Sequence, residues 1–213
     1  MTLQNGLIYD REAYLWSDTA VWSEKGARIG SSIKTFVGTH WPWAAAYSGH
    51  SPHGGTVWLM ARLAQHQSFS PPDLLRDASI ELRRAAREGF NSRLLFAFLC
   101  QHEGATLHHI AAEEMPGRAA FQPVRLTKFL SSGGDQDWYA DYADADTPEG
   151  MREVIALQLA DNGAEVMGME LEDPISDVIE TRFGMNGIRH RQLRLIDGRL
   201  EEVPIGDGFA EAA

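Results

Sequence analysis

Thr2, Asp18 and Lys34 are the residues whose types and spacing point to chemistry. The chain opens MTLQNGLIYDREAYLWSD. A small side chain behind an initiator methionine favours removal of that methionine, so the mature chain is expected to begin at Thr2. A leading threonine carries a nucleophile and a base on one residue, because its α-amine has an unperturbed pKa of roughly 8. Such a hydroxyl can attack an amide carbonyl. It needs a nearby cation to keep the amine unprotonated, a carboxylate to hold that cation, and backbone N–H groups to receive the oxyanion. Asp18 stands sixteen positions after Thr2, Lys34 thirty-two and Gly6 four. Gly49, in AYSGH, precedes a stretch with helical pattern, where free N–H groups can face a substrate.

These positions need elements to gather them. GLIYD and AYLWSD flank a charged turn at Asp10, Arg11 and Glu12, which predicts a hairpin returning Asp18 to the start of the chain. KTFVGTHWPWAAAYSGH predicts two strands interrupted near Pro42, with Lys34 at the start of the first. GGTVWLMARLAQH predicts a helix with Val57, Met60, Ala61 and Ala64 on one face. SPPDLLRDASIELRRAAREGF predicts a second, opened by its prolines and Asp73, closed by Gly89, and burying Leu74, Leu75, Ala78 and Leu82. SRLLFAFLCQHEGATLHHIAAEE reads as a hairpin turning at Glu103-Gly104, and QPVRLTKFLSSGG as one further strand. TPEGMREVIALQLADNG is a capped helix, and IRHRQLRLIDGRLEEV a last hairpin turning at Asp197-Gly198. Helices gathered in blocks between antiparallel strands predict an α+β domain spanning 1–213, with no repeat and no linker.

Composition narrows the function classes. At 213 residues, 44% hydrophobic and 23% charged, the chain is long enough for a substantial core. Its 19 basic against 30 acidic residues give a net charge of -11, which argues against nucleic acid or an anionic membrane as partner. The acid concentrates in DQDWYADYADADTPEG, residues 135–150, read as a solvated loop or helix edge, with a calcium site as the alternative. The single cysteine, Cys100, excludes an internal disulfide, and in LLFAFLC it reads as a buried thiol. No signal peptide is visible and no apolar run approaches the ~20 residues of a membrane span, so a soluble, cytoplasmic protein is expected.

With those residues in view, the chain resembles the proteasome β-subunit and its bacterial proteasome-like relatives, within the N-terminal nucleophile hydrolases. That family has its threonine, aspartate and lysine at the spacing of Thr2, Asp18 and Lys34, and a glycine at the position of Gly6. The resemblance carries specific positions over residues 2 to 66 and element order beyond them. It implies a four-layer αββα sandwich of antiparallel sheets. It further implies Thr2 as nucleophile, Lys34 as the charge that tunes it, Asp18 as the lysine's partner and Gly49 at the oxyanion turn. SSGG at 131–134 resembles the family's serine-glycine turn and makes Ser132 a supporting serine. The activity implied is a threonine peptidase without cofactor, acting on peptides or unfolded protein in a homo-oligomeric ring served by an ATP-dependent unfoldase.

The sequence departs from the family in two places. Ser48 falls, by counting, where the family has its oxyanion glycine. In ETRFGMNGIRH only Asn186-Gly187 resembles the family's late glycine pair, and Arg182 and Met185 occupy the expected acid and serine positions. This motivates a second reading, the same fold kept without catalysis as a structural or assembly subunit. A third is a metal-dependent hydrolase using His50, His53, His102, Glu103, His108 and His109. Against it, no HExxH is present, and His108 and His109, adjacent on a strand, face opposite sides. Singly, Asp18 and Lys34 read as a turn acid and a solvated lysine, and Ser132 as a turn residue bonding its own backbone. Trp41 and Trp43 would share a strand face, as core or interface packing or as the lining of a specificity pocket or subunit contact.

Overall fold

The computed structural model describes residues 3–22, 28–38, 40–49, 63, 68–115, 118–130, 145–162, 165–166, 169–170 and 177–205. In chain order its strands are β1 (Gln4–Tyr9), β2 (Glu12–Asp18), β3 (Ala20–Trp22), β4 (Arg28–Ser31), β5 (Thr35–Val37) and β6 (Trp43–Gly49). Then come helix α1 (Pro71–Arg87), β7 (Ser92–Cys100), β8 (Gly104–Ala111), β9 (Val124–Leu126), β10 (Lys128–Phe129) and helix α2 (Pro148–Asn162). The short β11 (Glu165–Val166) and β12 (Met169–Glu170) pair with each other, and β13 (Asp177–Gly184), β14 (Gly187–Ile196) and β15 (Arg199–Val203) complete the set. Two antiparallel sheets dominate: β10-β1-β2-β13-β14-β15 and β5-β6-β7-β8-β9.

Strand periodicity sorts the core into three layers of contact. On β2, Tyr14 and Trp16 point to one side, where they pack with Met151, Ile155 and Leu159 of α2. Ala13 and Leu15 point to the other and meet Ala44, Ala46, Leu95, Ala97 and Leu107 of the second sheet. Leu94, Phe96 and Phe98 of β7 face outward onto Leu74, Leu75, Ala78 and Leu82 of α1. The result is the expected α+β αββα sandwich, with α1 and α2 on the outside and two antiparallel sheets between them. Small residues let the sheets approach closely. A Cβ built on Gly6 would stand 2.6 Å from Leu95 Cδ2, so β1 lies directly on β7 at that point.

Most element readings hold. α1 buries the four apolar residues foreseen, and Ser70 caps it by accepting from the Asp73 N–H. Thr147 accepts from the Gly150 N–H at the start of α2. The first and last hairpins turn through Asp10-Arg11 and Asp197-Gly198, all four at positive φ. Several details differ. Glu12 belongs to β2 and not to the turn. The segment foreseen as one strand after Gln122 divides at Thr127: β9 joins one sheet and β10 the other, with Ile8 N–H donating to Thr127 O at 2.7 Å. Trp41 precedes β6, so it shares no strand face with Trp43. It stacks on Phe98 at 5.7 Å and donates to Ser68 O, a packing role. Cys100, at the end of β7, is half-buried and not fully buried. Of the helix foreseen at 54–66 only Leu63 is described, helical and buried against α1. Within the acidic stretch, Asp146 pairs with Lys128 at 2.7 Å, and residues 135–144 lie outside the described residues.

Candidate functional site

Asp18 ends β2, and antiparallel pairing with β1 returns it to the start of the chain. The Asp18 N–H donates to Leu3 O at 3.2 Å, and Leu3 N–H donates to Asp18 Oδ2 at 2.6 Å. The chain then leaves through β3 and β4 and comes back: Ser32 N–H donates to Thr19 O at 2.8 Å, which sets Lys34 beside Asp18. Lys34 Nζ lies 2.6 Å from Asp18 Oδ1 and donates also to Ala20 O at 2.7 Å. The pair is buried, Asp18 at 0% and Lys34 at 8% exposure. Charges removed from water this way are retained only with close geometry and further hydrogen bonds. Asp18 has both, since Oδ1 also accepts from Ala20 N–H at 3.0 Å.

One carboxylate therefore holds the ammonium with one oxygen and the main chain of Leu3, the covalent neighbour of Thr2, with the other. Lys34 leads into β5 of the second sheet, so this pair bridges the two sheets. Two further buried bonds do the same and were not foreseen. Ser17 Oγ and Thr35 Oγ1 are 3.1 Å apart, and Gln4 Nε2 donates to Ala46 O at 2.6 Å. A signal existed for them: Gln4 and Ser17 are polar residues at strand positions whose neighbours two residues away, Gly6 and Leu15, face the apolar space between sheets.

Thr2 and Ser132 lie outside the described residues. Gly49 ends β6 in register with Ser92, and residues 50–62 after it are likewise outside. A Cβ at Gly49 would stand 2.7 Å from Asn91 O and 2.9 Å from Ser92 Cα, so the approach of β7 already requires glycine there. Ser48 is buried and pairs with Arg93 across the strands.

Arg182 and Met185 of ETRFGMNG do not neighbour Asp18. Val178 is the residue of β13 paired with Asp18, and Gly184 stands six residues further along, about 20 Å at strand rise. Arg182 pairs with Glu12 at that far end, and Met185 is 65% exposed in the turn. The arginine and methionine thus replace nothing beside the Asp18–Lys34 pair. Counting from the last hairpin aligned the wrong end of the strand. Asp177, beside Val178, accepts from Arg194 at 2.7 and 3.0 Å, and its main-chain carbonyl accepts from Thr19 N–H.

His108 and His109 face opposite sides, as adjacent strand residues must. His108 meets Phe98 edge-on, and His109 stacks on Phe129 between the sheets. Burial, with the Arg118 and Arg93 charges, pushes the His109 pKa down to about 3. Burial and then Arg125 lower that of His108. Among the described residues no group of three acids, histidines or cysteines is placed to hold a metal, while His50 and His53 lie outside them.

No family model matches the sequence, and no curated protein does. Solved structures do match. The Gly-1 mutant of Anbu from Hyphomicrobium sp. strain MC1 superposes with a TM-score of 0.65 at 13% identity, over 92% of this chain and 88% of that one. A second Anbu structure from the same strain gives 0.62 at 11% identity, with the same coverage. Membership in the proteasome β-subunit-like peptidase family, expected from the spacing of Thr2, Asp18 and Lys34, is therefore corrected: no family model supports it, and three positions are too few to define a family. What these matches share with the chain is the fold, the four-layer αββα sandwich expected for an N-terminal nucleophile hydrolase.

Proposed function

We propose that the protein is a threonine-type N-terminal nucleophile hydrolase cleaving amide bonds in peptides or unfolded protein. The observation that carries this reading is the buried Lys34–Asp18 pair whose carboxylate also binds the Leu3 N–H. A lone buried ion pair is weak evidence of a stability device, because apolar replacements serve stability as well or better. One tied to the residue after Thr2 has a chemical use.

In this reading the Thr2 hydroxyl oxygen attacks the carbonyl carbon and its proton passes to the Thr2 α-amine. Lys34 disfavours a second positive charge nearby and so keeps that amine available as a base. Asp18 fixes the ammonium and the first strand together. Main-chain N–H at Gly49 would receive the oxyanion, a contribution of about 3 kcal/mol for one such donor. Collapse breaks the C–N bond, and the departing amine takes the proton from the α-ammonium. Water, deprotonated by the α-amine, then hydrolyses the ester on Thr2. Ser132 would support the amine's proton transfers. The chain acts as one domain, 1–213, in a homo-oligomer, with an ATP-dependent unfoldase as a partner for protein substrates.

The reading requires Thr2 to be the first residue of the mature protein, which intact mass determines. On such material, turnover of a fluorogenic peptide should vanish in Thr2→Ala and in Lys34→Ala. Turnover that survives Thr2→Ala but stops with chelator would establish the metal-dependent reading instead. No turnover and no oligomer-independent activity with Thr2 exposed would favour the non-catalytic subunit.

A further inference from the structure

Near their shared turn, β13 and β14 place two arginines face to face. Arg182 stands directly opposite Arg189, two pairs in from the Gly184–Gly187 closure. Residues so paired have Cβ atoms about 5 Å apart, and like charges there are destabilising. Strand alternation puts both arginines on the side of the sheet that carries Glu12, Tyr14 and Glu180.

The charges at this spot do not balance. Glu12 Oε2 accepts from both Nε and Nη2 of Arg182, and Tyr14 Oη donates to it at 3.4 Å. The Arg182 guanidinium carbon also lies 5.7 Å from the Tyr14 ring centroid. Arg189 is exposed and has no hydrogen-bond or ion-pair partner among the described residues. Two guanidiniums therefore share one carboxylate, and one positive charge is unmatched in a chain whose net charge is -11.

A cavity of about 40 Å³ lies among these groups, lined by Glu12, Arg182, Asn186, Gly187 and Arg189. One water needs roughly 10–15 Å³, so the space takes about three heavy atoms. That is the size of a carboxylate and less than the five atoms of a phosphate. The planar fork of an arginine matches a carboxylate with two parallel N–H bonds, and an asparagine amide adds a neutral donor. We propose that this cavity binds one carboxylate group, held by Arg189 and Asn186, with Arg182 kept at its side by Glu12. The bound carboxylate offsets the repulsion between the two arginines and fixes the β13–β14 turn. It comes from a free small acid or from the acidic side chain of another protein. The cavity is at the end of β13 remote from Asp18, so the proposal does not depend on the hydrolase reading.

The test is thermal unfolding at pH 7 with sodium acetate replacing sodium chloride at constant ionic strength. Wild type should show a Tm that rises and saturates, and Arg189→Gln should lose that rise or need at least tenfold more acetate. Arg189→Lys, which keeps the charge without the fork, should fall between them. The α-amide of N-acetylglutamate, titrated in the same way, distinguishes the sources. A midpoint below that of acetate assigns an acidic side chain, and an equal or higher one assigns a free small acid. An equal rise in Arg189→Gln, no rise in wild type, or a stronger response to phosphate than to acetate would overturn the proposal. If Arg189→Gln does not fold, wild-type crystals soaked in acetate decide: a carboxylate bonded to Arg189 supports the site, and water alone in the cavity refutes it.

Discussion

Replacing Lys34 with methionine would leave the Asp18 carboxylate at 0% exposure with no cation beside it. Removing one partner of a buried pair costs about 3–5 kcal/mol, so Lys34→Met should lower stability by that order in chemical denaturation. Adding Asp18→Leu removes the stranded charge and should restore part of the loss, while peptide turnover stays absent. Recovered stability without recovered turnover separates the chemical use of the pair from its structural one. A second residue has its own pH signature. The unfolded chain binds a proton at His109 below about 6.5, and the folded one refuses it until about 3. Stability should therefore fall as pH drops through that window, by about 1.4 kcal/mol per unit from this residue. Between pH 7 and pH 5 in gluconate buffer, wild type should lose roughly 2 kcal/mol more than His109→Phe. Equal losses would mean that His109 is protonated in the folded state.

At the scale of elements, the contact between sheets is the sensitive place. Gly6→Val would drive a branched side chain into Leu95 and Leu107, both 0% exposed, and overpacking of this kind costs about 1–3 kcal/mol. The expected outcome is a lower denaturation midpoint with an unchanged denaturant slope. A variant as stable as wild type would mean that β1 and β7 separate readily. What was legible here followed from periodicity and punctuation: the stripe and proline start of α1, the Thr147 cap, and the turns at Asp10-Arg11 and Asp197-Gly198. The division at Thr127 was not legible, because VRL and KF look alike as strand and only tertiary pairing sends them to different sheets. The Asp18–Lys34 approach was expected from the resemblance to the proteasome-like family. The bridges through Ser17, Thr35 and Gln4 required knowing which strand faces meet.

On the scale of the whole molecule, the candidate site belongs to neither sheet alone. Asp18 and Leu3 come with one sheet and Lys34 with the other, so the proposed peptide turnover should disappear as soon as the sheets part. A four-layer sandwich is compatible with many chemistries, and activity must be established at the site itself. The most direct measurement treats protein of verified N-terminus with a peptide epoxyketone, whose adduct consumes both a hydroxyl and a free α-amine. Mass mapping should place one adduct per chain on Thr2, lost in Lys34→Met. Protein that begins at Thr2, is folded, and takes up no reagent at that residue would contradict the proposed chemistry.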